Sequence, residues 1–146
     1  MYIKGIVTIK LIDKKTNKIK YKTTHNNTML KNGAYCLMYG LTGKSTPTPI
    51  SRIVLFNENK NYVKTINLFY DELTEYQNTL YYYLEGVDNS EDEYTFKYIT
   101  LDREYSETPT LENGYFLRIE SIPTPKTKDC SLYVQWWIML SYSQLP

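Results

Sequence analysis

Histidine, arginine, cysteine and glycine are all scarce in this chain, and each shortage removes a class of chemistry. His25 is the only histidine. A histidine-based metal site would need its other ligands elsewhere, and no serine or cysteine nucleophile matches it on spacing. It reads as a residue that caps or bridges a loop. Cys36 and Cys130 stand far apart, with no C-x-x-C pair and no secretory pattern, so they read as free buried thiols rather than a disulfide. Gly43-Lys44-Ser45 imitates the end of a phosphate-binding loop. Met38 stands where that pattern needs its first glycine, and the fragment trails a helix instead of opening one, so it reads as a helix stop. No apolar run approaches the roughly 20 residues that cross a bilayer, and Met1 leads straight into strand-like sequence without a charged leader. The expectation is therefore no signal peptide, no membrane partner, no cofactor, and a chain that stays soluble in the cytoplasm where it is made.

What is present favours strands. Tyrosine, isoleucine, threonine, leucine and lysine dominate, with 16 tyrosines alone, and such residues suit a pleated, half-buried surface. The length fits a single domain, 1–146, burying roughly 70% of its extended-chain surface without metal or disulfide staples. In Ile3–Ile12, Ile3, Val7, Ile9 and Leu11 share one side, while Lys4, Thr8 and Lys10 share the other. Asp13–Lys18 has the Asp and Asn of a hairpin turn, and Ile19–Thr24 returns with Lys20 and Lys22 outward. Further strands are expected at Ile50–Phe56, Tyr62–Phe69, Thr79–Val87, Glu93–Leu101, Gly114–Ile122 and Ser131–Tyr142. The charged run Tyr70–Gln77 reads as a helical turn or a long loop. One stretch has helical spacing instead: Ala34, Leu37, Met38 and Leu41 recur at i, i+3, i+4 and i+7. Asn32 is the expected N-cap, Gly43 the left-handed stop, and the apolar side is expected to pack on a sheet. Together these predict a mainly β fold: an antiparallel β-sandwich, jelly-roll-like, with one short α-helix near residues 32–42.

Charge is unevenly spread. Residues 1–64 carry +10 and residues 65–146 carry −9, for a net +1. Either the basic and acidic strands neutralise each other within one sheet, or the molecule is bipolar and its basic side meets a neighbour's acidic side. Lys20, Lys22 and the acidic tip containing Asp88 and Asp92 are candidate contact groups on the second reading. The last strand is apolar on both sides, with Trp136 and Trp137 pointing oppositely, so one tryptophan can lie in the core and the other under a loop or in a contact between chains. The tip Asp88–Glu93 imitates a calcium loop but has Glu93 where that loop needs glycine and Ile99 where it needs its closing glutamate, so it reads as a solvated turn. Asp71, Glu72 and Glu75 could supply acid and base roles to a hydrolase, or simply form a charged surface. No helix concentrates the positive charge, which argues against sequence-specific nucleic-acid binding. Tyr81 and Tyr83 share a strand face opposite Tyr82 and could stack on a sugar, or pack in the usual way.

Several of these parts, in this order, resemble a class of small tailed-bacteriophage structural proteins. These begin with a hairpin of the form strand, D-x-x-T-G/N-K, strand, here Ile3–Ile12, Asp13-Lys14-Lys15-Thr16-Asn17-Lys18 and Ile19–Thr24. An asparagine-containing turn follows, His25-Asn26-Asn27, then an N-G helix ending in glycine, here Asn32-Gly33 through Leu41-Thr42-Gly43. An I-x-x-I-x-L strand comes next at Ile50–Leu55, and a tryptophan-bearing strand closes the chain at Val134–Ile138. Phe56-Asn57 replaces the glycine usual after the I-x-L strand, and residues 57–113 carry no family pattern. The resemblance implies a non-enzymatic virion component of the tail, baseplate, neck or capsid surface. Its expected partners are other virion proteins and copies of itself in rings or other multimers, after synthesis in a bacterial host's cytoplasm. Two alternatives remain: a carbohydrate-binding module for host attachment, using Tyr81 and Tyr83 or an exposed tryptophan, and a small hydrolase.

Overall fold

A computed structural model describes residues 2–145; the single-domain expectation also covers Met1 and Pro146, which lie outside the described residues. The strands are β1 (Tyr2–Asp13), β2 (Ile19–Asn26), β3 (Thr28–Met29), β4 (Arg52–Phe56), β5 (Tyr62–Tyr76), β6 (Thr79–Asp88), β7 (Tyr94–Asp102), β8 (Phe116–Lys126) and β9 (Cys130–Ser141). One helix, α1 (Lys31–Thr42), follows β3. The fold is thus mainly β and antiparallel with one helix, as the alternation and propensities predict. The strands form one nine-stranded sheet in the order β2-β1-β9-β6-β5-β4-β7-β8-β3, nearly closed into a barrel.

Local chemistry explains the turns. The Asp13 carboxylate accepts the backbone N–H groups of Lys15 and Thr16, each at 2.9 Å, and Asn17 takes the left-handed conformation that asparagine tolerates. Asn57 closes its turn in the same way, accepting from Asn59 and Asn61.

β5 joins the two halves of the sheet. Its first part pairs with β4 as far as Arg52↔Asn67, and its second part pairs with β6 from Leu68↔Gly86 to Tyr76↔Thr79. The pairing is irregular between Leu68 and Tyr70, where the strand passes from one half to the other. The halves share a core of Val7, Ile9, Leu84, Val134 and Trp136 on one side and Ile53, Leu55, Phe96, Ile99 and Leu101 on the other, all fully buried. Tyr70–Gln77 is therefore not a helical turn or loop. It is β-strand through Tyr76, closed on β6 by a two-residue turn in which Gln77 and Asn78 both have positive φ. Its charges disguise it because Phe69 through Gln77 are all exposed, so no buried face imposes apolar alternation.

The barrel stays open where β2 and β8 would meet, since β8 pairs on that side only with the two-residue β3. Arg118 of β8 spans this seam. It is fully buried, donates to the Val7 carbonyl at 2.6 Å and to the Thr23 hydroxyl, and pairs with the buried Glu120 at 3.1 Å.

α1 ends as predicted, with Gly43 left-handed at φ 66° and its N–H donated to the Tyr39 carbonyl. Two expectations for it are corrected. Leu30, not Asn32, is the N-cap; Asn32 instead donates its side-chain amide to the Asn113 carbonyl at 3.3 Å. Nor does the Ala34–Leu37–Met38–Leu41 side pack on the sheet. The helix touches the body through Gly33, where a Cβ would overlap the Tyr115 carbonyl oxygen, and through the partly buried Cys36. Close approach at a glycine thus decides which side faces in, and the apolar stripe is left in solvent, with Leu41 78% exposed.

Candidate functional site

Strand alternation turns every second residue of the first half of the sheet away from the core. Cross-strand register then sets these residues in rows over four or five strands. One row is Glu72, Tyr83, Trp137, Ile6 and Asn26. Its neighbours are Tyr70, Glu85, Gln135, Thr8 and Thr24 on one side, and Thr74, Tyr81, Met139 and Lys4 on the other. A further row holds Val87, Tyr133, Lys10 and Lys22. Trp137 and Tyr83 lie with ring centroids 4.7 Å apart, and Tyr83 and Tyr70 at 5.9 Å. The phenols of Tyr83 and Tyr70 donate to Glu85 and Glu72, each at 2.8 Å. Burial, and then the hydrogen bond to Glu85, raise the Tyr83 phenol well above the ordinary range. The result is a broad aromatic surface, not a cleft.

The corresponding surface on the second half is roofed by its own chain. Tyr105 stacks at 4.4 Å on Arg52, Gly114 lies against Thr100, and the outward-facing Val54 and Thr100 are fully buried. No such roof covers the first half: Glu72, Thr24, Lys22 and Asn26 are exposed, and Trp137, Tyr83 and Tyr81 are half-buried only by their neighbours.

Comparison with protein families, curated proteins and solved structures finds no match. The chain's own geometry carries the functional reading.

The predicted site residues divide accordingly. Trp136 is fully buried in the core and is unavailable to any contact, while Trp137, facing the other way, is the surface tryptophan. Tyr81 and Tyr83 share its face. Tyr82 points inward, donating to Asp71 at 2.8 Å, and burial followed by that bond pushes its pKa up to about 12. Lys22 is exposed beside Lys10, and Lys20 is exposed at the irregularity where β2 meets β1. The acidic tip is only partly free. Asp88 is buried and accepts the Tyr94 hydroxyl at 2.6 Å, Asp92 pairs with Lys64 at 2.6 Å, and Lys126 donates to the carbonyls of Ser90 and Asp92. Lysines thus hold Asp88, Asp92 and the backbone of the tip from within, while Glu91 and Glu93 stay exposed.

The three carboxylates of the hydrolase alternative do not converge. Glu72 faces outward while Asp71 and Glu75 face the other side, and each accepts a tyrosine hydroxyl, from Tyr70, Tyr82 and Tyr142 respectively. Among the described residues no three His, Cys, Asp or Glu side chains are grouped to hold a metal, and no helix is long and apolar enough to cross a membrane. A cleft of about 210 Å³ between α1 and the following loop is lined by Cys36, Tyr39, Thr48, Arg103 and Tyr115. Tyr115 donates its hydroxyl to Thr48 there, which ties the loop to the body.

Sequence reasoning missed Tyr70, Glu72, Glu85, Lys4 and Lys10 as parts of one surface. Alternation held that information for Lys4, Lys10 and Glu85 but not for Tyr70 and Glu72, and only the register joins the strands.

Proposed function

We propose that this chain is a non-enzymatic structural component of a bacteriophage particle, in the tail, neck or capsid surface, and that it works through protein–protein contact. On this reading the two halves of the sheet serve as the layers of a jelly-roll-like sandwich, and contact groups are carried on its outside. The observation that supports it is the amount of large apolar side chain in solvent. Leu37, Met38 and Leu41 on α1, and Phe69, Leu73 and Tyr76 on the far end of β5, are 44–78% exposed. They lie on one side of α1 and on both faces of the end of β5, and exposed apolar surface of this size suits interaction sites. The test is whether the chain stays with intact particles, purified by density gradient from a culture of the virus encoding it, after high-salt washing. The expected result is a fixed copy number per particle by quantitative mass spectrometry; its absence from washed particles refutes the proposal.

A second reading is favoured by one observation: Tyr81, Tyr83 and Trp137 lie together on an open surface, which suits stacking on sugar rings. Binding of the isolated monomer to a glycan array, abolished by Tyr81→Ala, would support attachment to carbohydrate instead.

A further inference from the structure

We infer that the outward face of β2-β1-β9-β6-β5 is a contact between two copies of this chain, related by a twofold axis running along β9. The inference rests on the assembly reading above and names one partner for it.

Charge on this face is sorted by strand. β1 and β2 place Lys4, Lys10 and Lys22 outward; β5 and β6 place Glu72 and Glu85 outward. β9, the middle strand of the five, contributes Tyr133, Gln135, Trp137 and Met139, none of them charged. Basic, neutral and acidic bands therefore run side by side along the strand direction, with the neutral band central. This is the spatial form of the charge split seen along the sequence.

Such a face is complementary to itself in one arrangement. A half-turn about an axis parallel to β9, lying between two copies packed face to face, sets the basic strands of each over the acidic strands of the other. It also brings the Trp137 band of each against that of its partner. A half-turn about an axis perpendicular to the strands would instead stack lysine band on lysine band. Isologous pairing needs a self-complementary patch with a desolvated centre and a charged margin, and this face has both.

Taken as flat, five strands spaced about 4.8 Å apart over about eight residues at about 3.4 Å each bound the face at roughly 650 Å², or about 1,300 Å² for two copies, the low end of specific interfaces. A nucleic acid fits poorly, since Glu72 and Glu85 lie on the same face as the lysines.

The experiment uses the whole chain and two charge variants. Lys10→Glu with Lys22→Glu makes the face acidic; Glu72→Lys with Glu85→Lys makes it basic. All four side chains point away from the core, and circular dichroism checks that each variant is folded. In sedimentation velocity, wild-type chain is expected to dimerise, each variant alone to associate on the order of a hundredfold more weakly, and an equimolar mixture to recover a one-to-one heterodimer. Trp137 gives a readout without mutation: its emission should shift to the blue as concentration rises, while the buried Trp136 does not respond. Variants that dimerise like wild type, or a mixture that does not recover, overturn the inference. If self-association survives both variants but is lost in Leu37→Glu/Leu41→Glu, copies meet through α1 and only this face is excluded. A wild-type chain that stays monomeric to millimolar concentration with unmoved emission also overturns it, leaving the particle reading to its own co-purification test.

Discussion

Replacing Arg118 by leucine should be the most damaging single change outside the apolar core. In the wild type its guanidinium is fully buried at the seam between β8 and the β1–β2 hairpin, donating to Val7, Thr23 and Glu120. Burial lowers its pKa and Glu120 works against that, so the pair is held charged by mutual attraction in a poorly solvated place. Removing the arginine leaves the Glu120 carboxylate, itself 1% exposed, buried with no counter-charge. Breaking a buried pair in this way costs about 3–5 kcal/mol, a large share of the 5–15 kcal/mol typical of a domain. For a chain of this size the melting temperature should fall by on the order of 10 °C. The informative companion is Arg118→Leu/Glu120→Leu. Replacing a buried pair by apolar groups is often close to neutral, so the double variant should recover most of the loss. Urea titration, extrapolated linearly and with the slope monitored, measures all three proteins. If the single variant falls within about 1 kcal/mol of wild type, or the double variant is no better than the single, the pair does not hold the seam as argued.

Three further outcomes follow from other contacts. Gly33→Ala should lift α1 off the body, because backbone at Tyr115 cannot yield to the added methyl; a loss of about 1–3 kcal/mol is expected, with amide exchange accelerated in α1 and unchanged in β9. For Asp88, burial acts to raise the carboxyl pKa, but bonds from Ser90 and Tyr94 and the field of Lys126 outweigh it, so the folded pKa lies below the unfolded one. Its stabilisation is then present above about pH 3.9 and is lost as pH falls through the folded value; Asp88→Asn should cost about 1.5–3 kcal/mol at neutral pH and flatten the acid limb of the stability curve. At the alkaline end the raised phenols of Tyr82, Tyr83 and Tyr94 stabilise the fold below about pH 10 and oppose ionisation above it. Absorbance titration should show a group of tyrosines that ionise late and only with unfolding; a single ordinary step for all of them would refute their hydrogen-bonded placement.

Most strands were legible because one face of each is buried, and burial enforces alternation. β1, β4, β6 and β9 could be placed within a few residues on that basis, and the turn at Asp13 announced itself through a side chain that bonds its own backbone. The far half of β5 was not legible, because a strand solvated on both sides has no pattern to keep. The helix was found from its period, but the period misnamed its inward side: Gly33 is invisible to a hydrophobicity count, yet it alone lets the helix backbone reach Tyr115. The partners of the acidic tip were not legible for a related reason, since Lys64 and Lys126, distant in sequence, lie under it.

The sequence by itself determined a β-rich chain, its turn positions, one glycine-terminated helix, and a basic beginning set against an acidic remainder. Only the tertiary structure decided that β9 lies between β1 and β6, and with that the placing of Trp136 inside, Trp137 outside, and the opposite charges on either side of it. The physical reason is that alternation assigns a residue to a face, whereas the neighbour it meets there depends on which distant strand satisfies its backbone hydrogen bonds. That choice is made by the packing of the whole core.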